Sequence, residues 1–201
     1  MRIRFATSLD SWALLHIYGQ YIDKPVTFEC ALPSEEEFAA RIECIAAEYP
    51  YLVCEDGDKI VGYAYAHRAQ ERAAYQWNAE LSVYLDRSAT ERGLGSALYE
   101  TLISLLRLQG IKTVYGCVTL PNPGSERLHK RLGFRRLGVY QSAGFKAGAW
   151  HDVAWFEKSI APYDMEPKPP LPVSALEETL VEEALQSAWR LSKRPATLSR
   201  G

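Results

Sequence analysis

The chain has 201 residues, 47% hydrophobic and 24% charged, with a formal net charge of −2, which fits one domain of ordinary size with an appendage and enough apolar material for a core. No basic block precedes the extreme C-terminus and no apolar run approaches the roughly 18 residues of a membrane span, so capture of nucleic acid or of a membrane is not expected. The first residues lead straight into polar ones without a signal-peptide apolar segment, and Cys30, Cys44, Cys54 and Cys117 show no C-x-x-C spacing, so they read as reduced thiols of a cytoplasmic protein, without zinc or disulfides.

In chain order, residues 3–5 form a short opening strand. Ser8 or Asp10 caps a helix to about residue 21, with Leu14, Tyr18 and Ile22 one turn apart. Residues 23–33 are irregular, flanked by Pro25 and Pro33, and form a plausible wall of a site carrying Phe28. Ser34 and Glu37 make a capping box for a helix to about residue 49. Two strands, 51–54 and 59–66, are joined by an Asp-Gly hairpin turn. Residues 77–86 alternate, with Trp77, Ala79, Leu81, Val83 and Leu85 on one face and Asn78, Glu80, Ser82, Tyr84 and Asp86 on the other, which is a half-buried strand. From Leu94 the apolar residues fall on a helical stripe to about residue 110. A strand over 113–118, a short helix over 126–132 closed by Gly133, and strands over 134–140 and 150–158 complete the core, with 142–149 between them. The expected fold class is α/β (α+β): one domain with a mixed central sheet and helices on both faces.

Strand, glycine-containing loop and helix N-terminus is a physical arrangement for an anion. Backbone N–H groups without intrahelical partners point out of the first turn, and the helix dipole adds positive potential there. Gly93 and Gly95 admit a ligand close to the backbone. No lysine precedes Ser96, which excludes a P-loop, and Leu98 stands where a dinucleotide fingerprint needs its third glycine. The surviving pattern is the acyl-CoA signature Gln/Arg-x-x-Gly-x-Gly/Ala, carried by residues 90–95 with a departure at Thr90.

The element order, the Gly93–Gly95 loop and the run Asn122-x-x-Ser125-x-x-x-His129-x-x-x-Gly133-Phe134 together resemble the GNAT acetyltransferase superfamily over roughly residues 3–160. Three pieces are similar to its phosphinothricin and methionine sulfoximine acetyltransferase subfamily. They are the stretch containing Tyr75, Trp77, Ala79, Glu80 and Tyr84; Leu120-Pro121-Asn122; and Ala143-Gly144-Phe145-Lys146 with Trp150-His151-Asp152. The resemblance implies direct transfer of acetyl from acetyl-CoA to the primary amine of a small amino-acid-like acceptor, without a metal. It implies pantetheine on the backbone of Val83, Tyr84 and Leu85, and pyrophosphate on the amides of Glu91, Arg92, Gly93, Leu94, Gly95 and Ser96. Arg87 and Arg92 are candidate charge partners, and Asn122 a contact for the cofactor arm. Glu80, among Tyr75, Trp77 and Tyr84, matches the general base, acting through water. His129 stands where many relatives carry the proton donor to the departing thiolate. Phe28, Arg72, Tyr75, Lys146 and His151 are the acceptor-binding candidates. His16 and His67 read as structural. Gln70 and Ala147 replace a lysine and a histidine of the subfamily pattern, which removes grip on an anionic substrate.

The chain divides into 1–160 as the acetyltransferase domain, 161–173 as a proline-rich arm, and 174–201 as a C-terminal helix with a disordered end from about residue 194. Ser174 and Glu177 offer a capping box, and the apolar stripe behind it wants a partner, either its own domain or a second copy in a homodimer. Two other functions stay open: an acetyltransferase for protein N-termini or lysines, and a non-catalytic acetyl-CoA-binding module.

Overall fold

The structure, a computed structural model, describes residues 1–192, with side chains through residue 187. Seven strands form one sheet: β1 (Arg2–Phe5), β2 (Tyr51–Asp56), β3 (Lys59–Arg68), β4 (Asn78–Leu85), β5 (Thr113–Thr119), β6 (Arg135–Lys146) and β7 (Ala149–Ser159). Their spatial order is β1-β2-β3-β4-β5-β7-β6, and every pairing is antiparallel except β4 with β5. Among the described residues five helices accompany them: α1 (Ser11–Gly19), α2 (Glu35–Ala46), α3 (Leu94–Gln109), α4 (Pro123–Arg131) and α5 (Glu178–Ser192).

The two faces of the sheet carry separate cores. On one, Leu94, Leu98, Leu102, Leu105 and Leu106 of α3 pack on Leu52, Ala64, Ala79, Leu81, Val114 and Ala154. On the other, Leu14, Ile17 and Tyr18 of α1 and Phe38 and Ile42 of α2 meet Tyr51, Val53 and Tyr63. The period-2 alternation of β4 divides its side chains between the two: Ala79 and Leu81 lie under α3, while Tyr84 sits 5.1 Å from Tyr18 and 5.3 Å from Tyr63 between ring centroids. The Ser34–Glu37 capping box is formed, with Glu37 N donating to Ser34 Oγ at 3.1 Å and Ser34 N to the Glu37 carboxylate at 2.9 Å.

Several boundaries differ from those read off the chain, each for a local reason. The first helix begins at Ser11, after a 3-10 turn over Ser8–Asp10, because the Asp10 carboxylate is held by Thr7 N (2.8 Å) and Arg4 (2.8 Å). The helix expected over 126–132 starts three residues earlier: Asn122 accepts from Ser125 N at 3.1 Å and Pro123 occupies the first turn, where its missing N–H costs nothing. Residues 142–149 are not a loop. The last two strands run through them as one long hairpin, with a bulge at Ser142 and a two-residue turn in which Ala147 (φ 51°) and Gly148 (φ 79°) are both left-handed.

The tail is tied down along the domain. Trp77 Nε1 donates to the Lys168 carbonyl at 2.8 Å. The buried Gln109 amide donates at 2.7 Å to both the Glu48 and the Leu171 carbonyl, and Lys112 pairs with Asp164 at 2.6 Å. The capping box expected from Ser174 and Glu177 does not form: Val173–Ala175 is a 3-10 turn, and α5 begins at Glu178. The partner of α5 is its own domain, since Ala184 is buried and Val181 and Leu185 pack on the core beneath α3. That removes the motive for a dimer built on this helix. The irregular end expected from residue 194 lies outside the described residues.

Because the apolar side of α5 closes over α3, removing residues 174–201 is expected to cost on the order of 3 kcal/mol. The truncated chain should melt at lower temperature with its oligomeric mass unchanged. Calorimetry with light scattering checks both, and an unchanged melting point would contradict the packing.

Candidate active site

The site originates where β4 and β5 part. β3 and β4 stay in register from Arg68↔Ala79 to Gly62↔Leu85. β4 and β5 pair only at Asn78↔Thr113, Ala79↔Val114 and Glu80↔Tyr115. Beyond Glu80 the β5-facing edge of β4 is therefore open. The Leu81 carbonyl accepts from Tyr99 OH at 3.1 Å and the Leu85 carbonyl from Tyr21 OH at 2.6 Å. Alternate residues of a strand turn their peptide groups to the same edge, so the N–H and C=O of Val83, between them, face the gap.

The gap widens into a cleft of about 940 Å³ bounded by β4, β5, the start of α3 and α4. Val83, Tyr84, Leu85, Glu91, Gly93, Leu94, Gly95, Ser96, Asn122 and His129 all line it. At one end stands the N-terminus of α3. Gly93 takes φ 80° as the N-cap, a left-handed conformation suited to glycine, and no side chain caps the helix, so its first N–H groups remain available to an anion. The expected arginine partners turn elsewhere. Arg92 pairs with Asp56 at 2.9 Å and is absent from the cleft lining, and Arg87 donates to the Gln20 carbonyl over the Tyr21 ring. Positive charge comes instead from Arg127, Lys130 and Arg131 of α4, which reading the chain did not pick out. Asn122 faces the cleft, but its side-chain oxygen caps α4.

Glu80 is the last residue of β4 to pair with β5, at the point where the strands diverge. It lies directly across from His67 on β3. Burial raises its carboxyl pKa above the ordinary value, and His67 pulls in the opposite direction. The expected aromatic surround is only partly there. Tyr84 belongs to the tyrosine cluster of α1, Trp77 is turned to the arm, and Tyr75 is 43% exposed on the 3-10 turn ahead of β4. Tyr115 and Cys117 of β5 lie nearer, and burial together with Glu80 pushes the Cys117 thiol up to about 12.

His129, expected as the proton donor, lines the cleft from α4. Its Nδ1 is 2.8 Å from the Ser125 carbonyl, which can only accept, so that nitrogen carries the proton. Nε2 is buried without a partner and faces Gly116, where an added Cβ would come within 2.1 Å. The ring stacks on Phe156 at 4.9 Å and meets Phe134 edge-on at 5.0 Å, and burial lowers its pKa. With its one N–H engaged by the Ser125 carbonyl, the ring forms part of the cleft wall.

Of the expected acceptor residues, the fold brings Phe28, Lys146 and His151 together and sets Arg72 and Tyr75 at the 3-10 turn ahead of β4. Lys146 does not reach toward a substrate. It is buried, and Nζ donates to the Lys24, Thr27 and Glu29 carbonyls at 2.9, 2.6 and 2.7 Å. The ammonium thereby pins the segment that carries Phe28, and its own carbonyl is 3.0 Å from His151 Nε2. Phe28 lies over Gly144, where a Cβ would stand 2.4 Å from the ring. Among the described residues no group of three or more His, Cys, Asp or Glu is placed to hold a metal.

A parallel pair that opens beside an uncapped helix N-terminus, within this strand order, is the architecture of an acyl-CoA-dependent acetyltransferase. The acetyltransferase (GNAT) domain family matches residues 3–155, and the chain belongs to it. Phosphinothricin N-acetyltransferase of Streptomyces viridochromogenes is 37% identical over 175 residues, covering 86% of this chain and 93% of that one. The L-methionine sulfoximine/L-methionine sulfone acetyltransferase of Pseudomonas aeruginosa is 31% identical over 115 residues, 57% of this chain and 67% of its own. Among solved structures, a phosphinothricin acetyltransferase from Sinorhizobium meliloti in complex with AcCoA superposes with a TM-score of 0.77 at 31% identity, over 88% of this chain and 95% of that one.

Replacing the pinning ammonium, Lys146→Met, leaves three carbonyls without their donor, and the expected cost is about 3 kcal/mol. Backbone amides of residues 24–29 should exchange faster while those of α3 keep their protection. Equal protection of the 24–29 segment in both proteins would show that Lys146 does not pin it.

Proposed function

We propose that the chain transfers the acetyl group of acetyl-CoA directly to the primary amine of a small amino-acid-like acceptor of the phosphinothricin or methionine sulfoximine type. The observation that carries this reading is the open edge of β4 running from Glu80 to the uncapped start of α3. An extended pantetheine arm has exposed peptide groups at Val83 to bond, and its pyrophosphate has free N–H groups at Gly95 and Ser96 with the α4 basic residues above them. Its thioester then falls near Glu80, and a backbone N–H of the open edge can favour the developing oxyanion.

Glu80 removes a proton from the acceptor ammonium through water, and the freed nitrogen attacks the thioester carbonyl. As the amide forms, the second ammonium proton is lost and is available to the departing sulfur, so the step balances without an acid from His129. Phe28 and His151, held by the Lys146 hub, supply the wall against the acceptor, with Tyr75 and Arg72 at its entrance. Gln70 and Ala147 are both exposed, on the loop after β3 and at the hairpin tip. In place of the subfamily's lysine and histidine they favour an uncharged tip on the acceptor over phosphinothricin itself.

We infer a homodimer formed through the long β6–β7 hairpin, where Tyr140, Phe145 and Trp150 are 62%, 58% and 65% exposed, an apolar patch that suits a second copy. A Trp150→Glu change is expected to leave a folded monomer by sedimentation; a dimer of undiminished stability would remove that interface. The four free cysteines fit the reducing cytoplasm, and recovery of the protein outside that compartment on fractionation counts against it.

The reaction is tested by following CoA release across phosphinothricin, methionine sulfoximine, methionine sulfone, free amino acids, polyamines and N-terminal peptides. Turnover of the sulfoximine or sulfone is expected, with kcat/KM rising to its plateau above the ordinary carboxylate range, since burial raises the pKa of Glu80 and the base acts only when ionised. Glu80→Gln should lose about 10²- to 10⁴-fold. Turnover of peptides alone would replace the small-molecule acceptor with a protein one, and acetyl-CoA binding without any turnover would leave a binding module.

A further inference from the structure

Glu80 has a neighbour that the acetyltransferase resemblance does not supply. Its cross-strand partner on β3 is His67. Directly opposed residues of antiparallel strands project to the same face with Cβ atoms about 4.5–5.5 Å apart, so carboxylate and imidazole stand side by side. Among the described residues no direct hydrogen bond joins them, and a pair so spaced is within the span of one bridging water. The Nδ1 of His67 is 3.1 Å from the Arg68 carbonyl, which accepts only, so Nδ1 carries the ring proton and Nε2 presents a lone pair. The ring rests 5.9 Å from Tyr65 and is half-buried, with one side toward solvent.

The other titratable groups around Glu80 are Tyr65 on β3, Tyr115 and Cys117 on β5, and Tyr99 on α3. Burial raises the pKa of each, which keeps them all neutral near pH 7. His67 is thus the one group among the described residues that stands across the strand from the carboxylate with a free nitrogen lone pair. A half-buried base must also dispose of a proton in every turnover, and a neutral imidazole nitrogen can accept one.

We propose that His67 is the proton partner of Glu80, accepting through a bridging water the proton that Glu80 takes from the acceptor ammonium and passing it to solvent. The inference rests on Glu80 being the base. The ammonium N–H bond breaks and its electron pair stays on nitrogen for the attack. The proton moves to the carboxylate, then to Nε2 of His67, and leaves the imidazolium for bulk water, which restores both groups. His67 acts through Glu80 and does not touch the acceptor.

The test is the pH profile of kcat/KM for wild type, His67→Gln and His67→Gly, with the acceptor that turns over fastest in the panel above. Without the imidazole that exchanges a proton with Glu80, the acid limb in His67→Gln should shift by about 0.5 pH unit or more, with kcat about 3- to 30-fold lower. In His67→Gly, added imidazole should restore kcat; in Glu80→Gln it should not. A His67→Gln profile that superposes on wild type, with no imidazole rescue of His67→Gly, overturns the inference. If Glu80→Gln is inactive in that case, the base reading stands and only the partner falls. If Glu80→Gln keeps wild-type turnover, both fall.

Discussion

The rest of the structure depends on one broken pairing. β4 and β5 exchange hydrogen bonds through Glu80 and Tyr115 and then separate, while β4 remains bonded to β3 along its whole length. A strand held on one edge and free on the other is rigid and unsatisfied at once, which is what a binding edge requires. The separation is supported from both faces. Tyr99 of α3 and Tyr21, beyond α1, each donate to a carbonyl of the open edge, at Leu81 and Leu85. On the β5 side the His129 ring fills the space over Gly116, which a side chain there would close. The two cores of the domain therefore meet at the parted strands, and neither could be repacked without moving the cleft.

A second constraint sets the segment that carries Phe28. The segment before α2 has no regular structure of its own, and its carbonyls would otherwise need water. Lys146 gathers three of them on one buried ammonium at the end of β6, so an irregular segment takes its position from a regular hairpin. The same hairpin leaves Gly144 bare beneath Phe28. Loop, ring and His151 thus form one unit anchored to the sheet.

Much of this was legible in the chain, and the reason is periodicity. The alternation over residues 77–86, the leucine stripe from Leu94 and the Gly93 turn are local signals, and they locate the strand, the helix and the uncapped helix start at one end of the cleft. Where local composition and long-range pairing disagree, the chain misleads. Residues 142–149 look like a loop because they are small and glycine-containing, yet a bulge at Ser142 and a left-handed Ala147 keep them in the sheet. Lys146 looks like a surface cation seeking an anion because its three partners lie 117 to 122 residues away. Ser174 and Glu177 have the spacing of a cap, but the helix that follows takes its register from α3 and begins later.

The same distinction explains the roles of the histidines. His129 sits in a motif and so reads as catalytic, and the fold packs its ring among Phe134, Phe156 and Tyr99 at the cleft wall. His67 sits in no motif and reads as structural, yet sheet register sets it opposite Glu80, where β4 and β5 part. Register between neighbouring strands is decided by the turn that joins them and by which face each residue must bury. Here 12 residues separate Glu80 from His67 and no single turn spans them. A proton partner set by register has no signature of its own in the sequence; it becomes visible only when the strands are laid side by side.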